Sequence, residues 1–162
     1  MFSYEDFIDG LLKQDFEKAK REIDKLPVDK RKETILQAGY DTESIIVYTF
    51  ACYLTEGDRS YHEAAEELML HVFTYIEGAY SAALYHLRRL YDNDTDNLDY
   101  LDMLLFFWSV PEKLIDDDEA LRAAEKIIER EADNKIALNA IAKIKEKGEN
   151  HDDRKRIPHT GI

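Results

Sequence analysis

The densest run of chemistry-bearing residues is DNDTDNLDYLDM, residues 92 to 103. Asp92, Asp94 and Asp96 stand at the first, third and fifth positions of a calcium-binding helix-loop-helix, where side-chain oxygens converge on a hard cation. Two places that such a loop depends on are filled by the wrong residues. Asn97 stands where the turn needs glycine, and Met103 replaces the bidentate acid. The stretch therefore reads as an acidic turn in which Asp96 or Asn97 caps the next helix. A cation held by residues 92–102 is the alternative reading.

A second set, His62, Glu63, Glu66, Glu67 and His71, falls on one expected helix. Glu67 and His71 lie one turn apart and make a geometric metal pair, but neither a repeated Glu-x-x-His nor a His-Glu-x-x-His motif accompanies them. His86 stands alone on another helix. These are read as ordinary histidines, with no metal and no cofactor expected. Cys52, the only cysteine, sits in YTFACYL, an apolar setting that raises a thiol pKa, so it reads as packing rather than a nucleophile. There is no glycine-rich phosphate loop and no nucleophile elbow. The expectation is a protein that is not an enzyme.

Charge is the more informative signal. The 162 residues carry a formal net charge of −13. Residues 41–110 hold 13 acids against three bases, Arg59, Arg88 and Arg89. A surface of that sign repels nucleic-acid phosphates and anionic membranes, and it speeds encounter with a basic protein. Among the 10 tyrosines, Tyr75, Tyr80 and Tyr85 are spaced five apart in this acidic span. They cannot share one buried stripe, and exposed tyrosine suits a contact surface. The expected partner-binding set is Glu63, Glu66, Glu67, Glu77, Tyr75, Tyr80, Tyr85, Asp92, Asp94, Asp96, Asp99 and Asp102.

The elements that must position these residues read as helices throughout. Six glycines and three prolines in the whole chain are too few for a many-stranded sandwich. Phe7, Ile8, Leu11 and Leu12, then Phe16, Ala19, Ile23 and Leu26, mark two amphipathic faces ending at Pro27. Val28 to Ala38 reads as a third helix capped by Gly39, with Asp41 capping a fourth that stops at Gly57. Ser60 opens a fifth, Gly78 to Tyr91 forms a sixth, and Leu98 to about Ser109 is apolar nearly all round, so it is expected to be the most buried. Two further helices, about 118–131 and 134–147, are joined by the polar link ADN and closed by Gly148.

These last helices resemble the tetratricopeptide-type repeat. Leu104 stands at its first aromatic position, Phe107 at the leucine, Ala120 at the key alanine and Ala132 at the proline. Trp108, Pro111, Ala124 and Lys145 depart from the pattern, and the alanine landmarks Ala19, Ala64 and Ala120 are unevenly spaced. The resemblance implies stacked antiparallel helical hairpins, since one hairpin cannot bury its apolar stripe alone. The expected fold is thus all-α, a repeat-like right-handed solenoid or an irregular bundle of about eight or nine helices. It comprises one domain over 1–148 and a flexible tail over 149–162.

No span approaches a membrane helix, and MFSYEDFIDG lacks the features of a secretory leader, so a cytoplasmic protein is expected, as a monomer or homodimer. By analogy of size and charge, the expected function is that of an immunity protein occluding a basic, nuclease-type toxin. A repeat-type chaperone or peptide-binding regulator would use the same physics on a basic client peptide.

Overall fold

A computed structural model describes the backbone of residues 1–155 and the side chains of residues 1–148. Among these residues the chain is all-α, with nine helices, no strands, and consecutive helices packed in antiparallel pairs. The contacts group into two compact units, Met1–Asp94 and the chain from Thr95 onward.

The first unit contains α1 (Tyr4–Leu12), α2 (Phe16–Ile23), α3 (Val28–Thr42), α4 (Ile46–Thr55), α5 (Tyr61–Glu67) and α6 (Ala79–Tyr91). A π-helical turn at Leu68–Val72 follows α5 directly. Short polar side chains open the first two helices: Ser3 accepts from the Asp6 amide and Asp15 from the Lys18 amide. Phe7, Leu11, Ile23, Ile35, Phe50, Leu68, Phe73 and Leu87 form a core closed to solvent. Phe50 meets the edges of Phe7 and Phe16 at centroid distances of 5.7 and 5.5 Å, a favoured arrangement for aromatic rings.

Two glycines set how closely the helices approach. A Cβ on Gly10 would stand 2.9 Å from the Ala19 backbone nitrogen, so α1 and α2 cross through the missing side chain. Gly39 does not cap α3 as its type suggests. It lies inside the helix, where a Cβ would meet Leu68 Cδ2 at 2.6 Å, and Glu43 supplies the left-handed terminus with φ 48°. Asp41 likewise stays within α3 and caps nothing. Its carboxylate accepts from the Tyr4 hydroxyl at 2.7 Å and the Gln37 amide at 2.6 Å.

The second unit contains α7 (Leu98–Ser109), α8 (Asp117–Arg130) and α9 (Lys135–Lys155). Asn97 caps α7 by accepting from the Asp99 and Tyr100 amides, and Asp116 caps α8 by accepting from Glu119. Leu101, Leu104, Phe107, Ala120, Ala124, Ile127 and Ala137 pack the centre. Helix α7 is not buried all round: Phe106 is 37% exposed and Trp108 half-buried. Small alanines on α8 and α9 let both helices approach α7, but two neighbours cover only part of its circumference. Gly148 does not close α9, whose backbone continues to Lys155. Residues 156–162 of the expected tail lie outside the described residues.

Candidate functional site

In the first unit, α3 reaches across to α5. Lys32 Nζ sits 3.1 Å from Glu63 Oε2 and 3.0 Å from Glu67 Oε1, so two of the expected contact acids share a lysine of their own chain. Glu66, between them in sequence, is only 7% exposed, and among the described residues its Oε1 has no hydrogen-bond partner. Burial first, then the charges of Glu67 and Glu63, push its carboxyl up to about 7, with Lys32 opposing. Glu66 is therefore an interior acid, not a contact residue.

Glu77, Asp92 and Asp94 are exposed, as are Tyr75 and Tyr85, at 71% and 51%. Tyr80 is half-buried. The arginines near them are turned onto the protein itself. Arg59 donates to the Arg89 carbonyl and, with the Asn93 amide oriented to present its oxygen, to Asn93 at 2.8 Å. The Arg89 guanidinium lies 5.2 Å from the centroid of Tyr85.

Beneath this surface lies a polar cluster that sequence reasoning missed. His62 Nδ1 faces His86 Nδ1 at 2.7 Å, and Tyr48 Oη and Cys52 Sγ lie 3.0 and 3.8 Å from His86 Nε2. Burial, with His62 adding, lowers His86 to about 4. Burial also lowers His62, and Arg59 and Arg89 reinforce the shift. Both rings are thus neutral at pH 7, and one donates to the other. Burial raises the Cys52 thiol, so the cluster suits internal hydrogen bonding rather than nucleophilic chemistry. The sequence offers no signal for it, because the register of α5 against α6 decides which histidines meet.

In the second unit, Asp96 pairs with Lys126 at 3.2 Å and Arg130 at 3.4 Å. Asp99 is exposed. Asp102 is different: its Oδ1 is buried and, among the described residues, has no hydrogen-bond partner. Burial, then Glu131 and Asp99, raise its carboxyl above the usual range. Leaving such an oxygen unpaired costs about 1–3 kcal/mol. Asp102 lines a groove of about 230 Å³ between α7 and α9, along with Leu105, Phe106, Ile136, Asn139 and Lys143. Trp108, also on the groove, is held by its indole N–H donating to Asp117 at 2.6 Å, with Lys147 Nζ 5.0 Å from the ring centroid.

Among the described residues, no group of three His, Cys, Asp or Glu side chains is arranged to hold a metal ion. Nor, among the described residues, is any helix long and apolar enough to cross a membrane. Comparison with family models, curated proteins and solved structures finds no match.

Proposed function

We propose that this chain is a non-catalytic protein-binding module whose partner is a basic protein, and that it serves as an immunity-type inhibitor, covering the cationic substrate groove of a nuclease-type toxin. The observation that carries this reading is the treatment of charge between Asp41 and Asp94. Ten acids there face three arginines, and Arg59 and Arg89 are turned onto the chain's own carbonyl, amide and aromatic groups. The exposed carboxylates of Glu77 and Asp92 and the rings of Tyr75 and Tyr85 then combine long-range attraction with low-entropy contact area. Glu63, Glu67 and Asp96 are paired internally and Glu66 is buried; of the other expected contact residues, Tyr75, Glu77, Tyr85, Asp92, Asp94 and Asp99 are exposed, and Asp102 is half-buried.

Affinity capture from a lysate of the producing cell, at low and at high salt, tests the proposal. A basic protein retained at low salt and released at high salt supports it; a catch with no basic protein, or one indifferent to salt, counts against it. A second reading, a repeat-type peptide-binding regulator, is favoured by the groove between α7 and α9, whose walls suit a single inserted side chain.

A further inference from the structure

We infer that the groove between α7 and α9 is a binding slot for one arginine side chain from a basic partner, its guanidinium meeting Asp102 and its methylene stem lying on Leu105, Phe106 and Ile136. This rests on the proposed basic partner and names where one of its side chains seats.

Three observations converge on that occupant. The slot holds about 230 Å³ and its walls are mainly apolar, with Phe106 and Ile136 exposed at 37% and 62%, which suits a long aliphatic stem. Asp102 lines the same slot, and no described residue hydrogen-bonds to its buried Oδ1. A carboxylate in an apolar slot is best met by a charged donor, and a guanidinium, planar and weakly hydrated, loses less on burial than an ammonium. Finally, Glu131 and Asp99 add negative charge around Asp102, which with burial raises its carboxyl. A neutral apolar side chain would fill the walls and offer the carboxylate no counter-charge. An acidic one would be repelled.

Lys143 lines the same groove, yet no ion pair joins it to Asp102 among the described residues, so this lysine does not satisfy the site. Glu146 and Lys147, a turn further along α9, are also exposed, but Lys147 is engaged with Asp117 at 3.2 Å.

Trp108 is the only tryptophan and lines the slot, so its fluorescence reports occupancy directly. The full chain is titrated with acetyl-Leu-Arg-Leu-amide and with the same peptide carrying citrulline, which keeps the shape and removes the charge. The expected result is a saturable change in Trp108 emission with the arginine peptide and binding at least tenfold weaker with citrulline. Asp102→Asn, which removes the charge while keeping the size, should weaken the arginine peptide by tenfold or more, about 1.4 kcal/mol. Lys143→Met should leave its binding intact or tighten it. Equal affinity for the two peptides, no effect of Asp102→Asn, or loss of binding in Lys143→Met would each overturn the inference. So would a peptide signal that appears only when residues 156–162 are removed, since the chain's own end would then be the occupant. Poly-arginine run in parallel separates the two levels: salt-sensitive binding of the polymer with no tripeptide binding removes the slot and keeps the acidic module, whereas failure of both removes both.

Discussion

Replacing Glu66 with glutamine should stabilise the protein, and by an amount that depends on pH in a specific direction. The carboxyl is 7% exposed, with an unpartnered oxygen and two neighbouring glutamates, and sits at about 7 in the fold against an ordinary value of 4.5. Between those values the folded chain binds one more proton than the unfolded chain, so this group's contribution to stability falls as pH rises through that window. The full loss corresponds to about 3 kcal/mol. Glutamine imitates the protonated acid and does not titrate. Glu66→Gln and wild type should therefore differ little near pH 4.5, and the variant should lead by up to about 3 kcal/mol above pH 7. Histidine enters with the opposite sign. His86, lowered to about 4, binds its proton in the unfolded chain first, so its contribution grows as pH rises from about 4 to 6.5. In wild type the two slopes oppose each other across the overlap; the variant exposes the histidine slope, and its stability should climb over that range. Urea denaturation followed by far-ultraviolet circular dichroism at a series of pH values measures both curves. A gap of equal size at pH 4.5 and pH 8, or one largest in acid, would refute the assignment of Glu66 as a buried, strained carboxyl.

Other substitutions probe the same structure. His86→Ala removes the acceptor or donor for both His62 and Tyr48 and opens a cavity, and should lower stability by about 2–4 kcal/mol at pH 7, measured by urea denaturation. Gly10→Ala forces a methyl against the Ala19 backbone nitrogen, and thermal melting should show a loss of about 1–2 kcal/mol even after alanine's better helix propensity is counted. Asn97→Ala leaves the Asp99 and Tyr100 amides without their cap and should cost about 1 kcal/mol in the same assay. Asp102→Asn should raise the melting temperature above pH 7 and change it less in acid, because the partly buried carboxylate is penalised only when charged.

Helix positions were largely legible from sequence because local chemistry sets them. Pro27 precedes α3, Asn97 and Asp116 cap α7 and α8 with their own side chains, and the three-and-four apolar spacing of Phe7, Leu11, Ala19 and Ile23 matches buried residues. Local signals failed where a distant residue overrode them. Gly39 carries a stop signal, but Leu68 packs against its bare Cα and the helix runs on to Thr42. The acidic surface was half legible. Composition locates the excess of carboxylates, yet only the fold reveals that Lys32, 31 and 35 residues away from Glu63 and Glu67 in sequence, is aimed at both. Glu66 looks no different from its neighbours in the sequence; the face of α5 it occupies turns it inward. Tyr75 and Tyr85 emerge exposed, whereas Tyr80, five residues from each, is half-buried.

The salt dependence of partner affinity, compared between wild type and a Glu77→Lys/Asp92→Lys variant, bears most directly on the proposal that fixed surface carboxylates select a basic protein. With the captured partner purified, wild-type affinity should fall steeply as salt is raised from about 0.05 to 0.5 M, and the variant should bind at least tenfold more weakly at the low end with a shallower slope. Affinity that is flat in salt, or unchanged by reversing both charges, would contradict it.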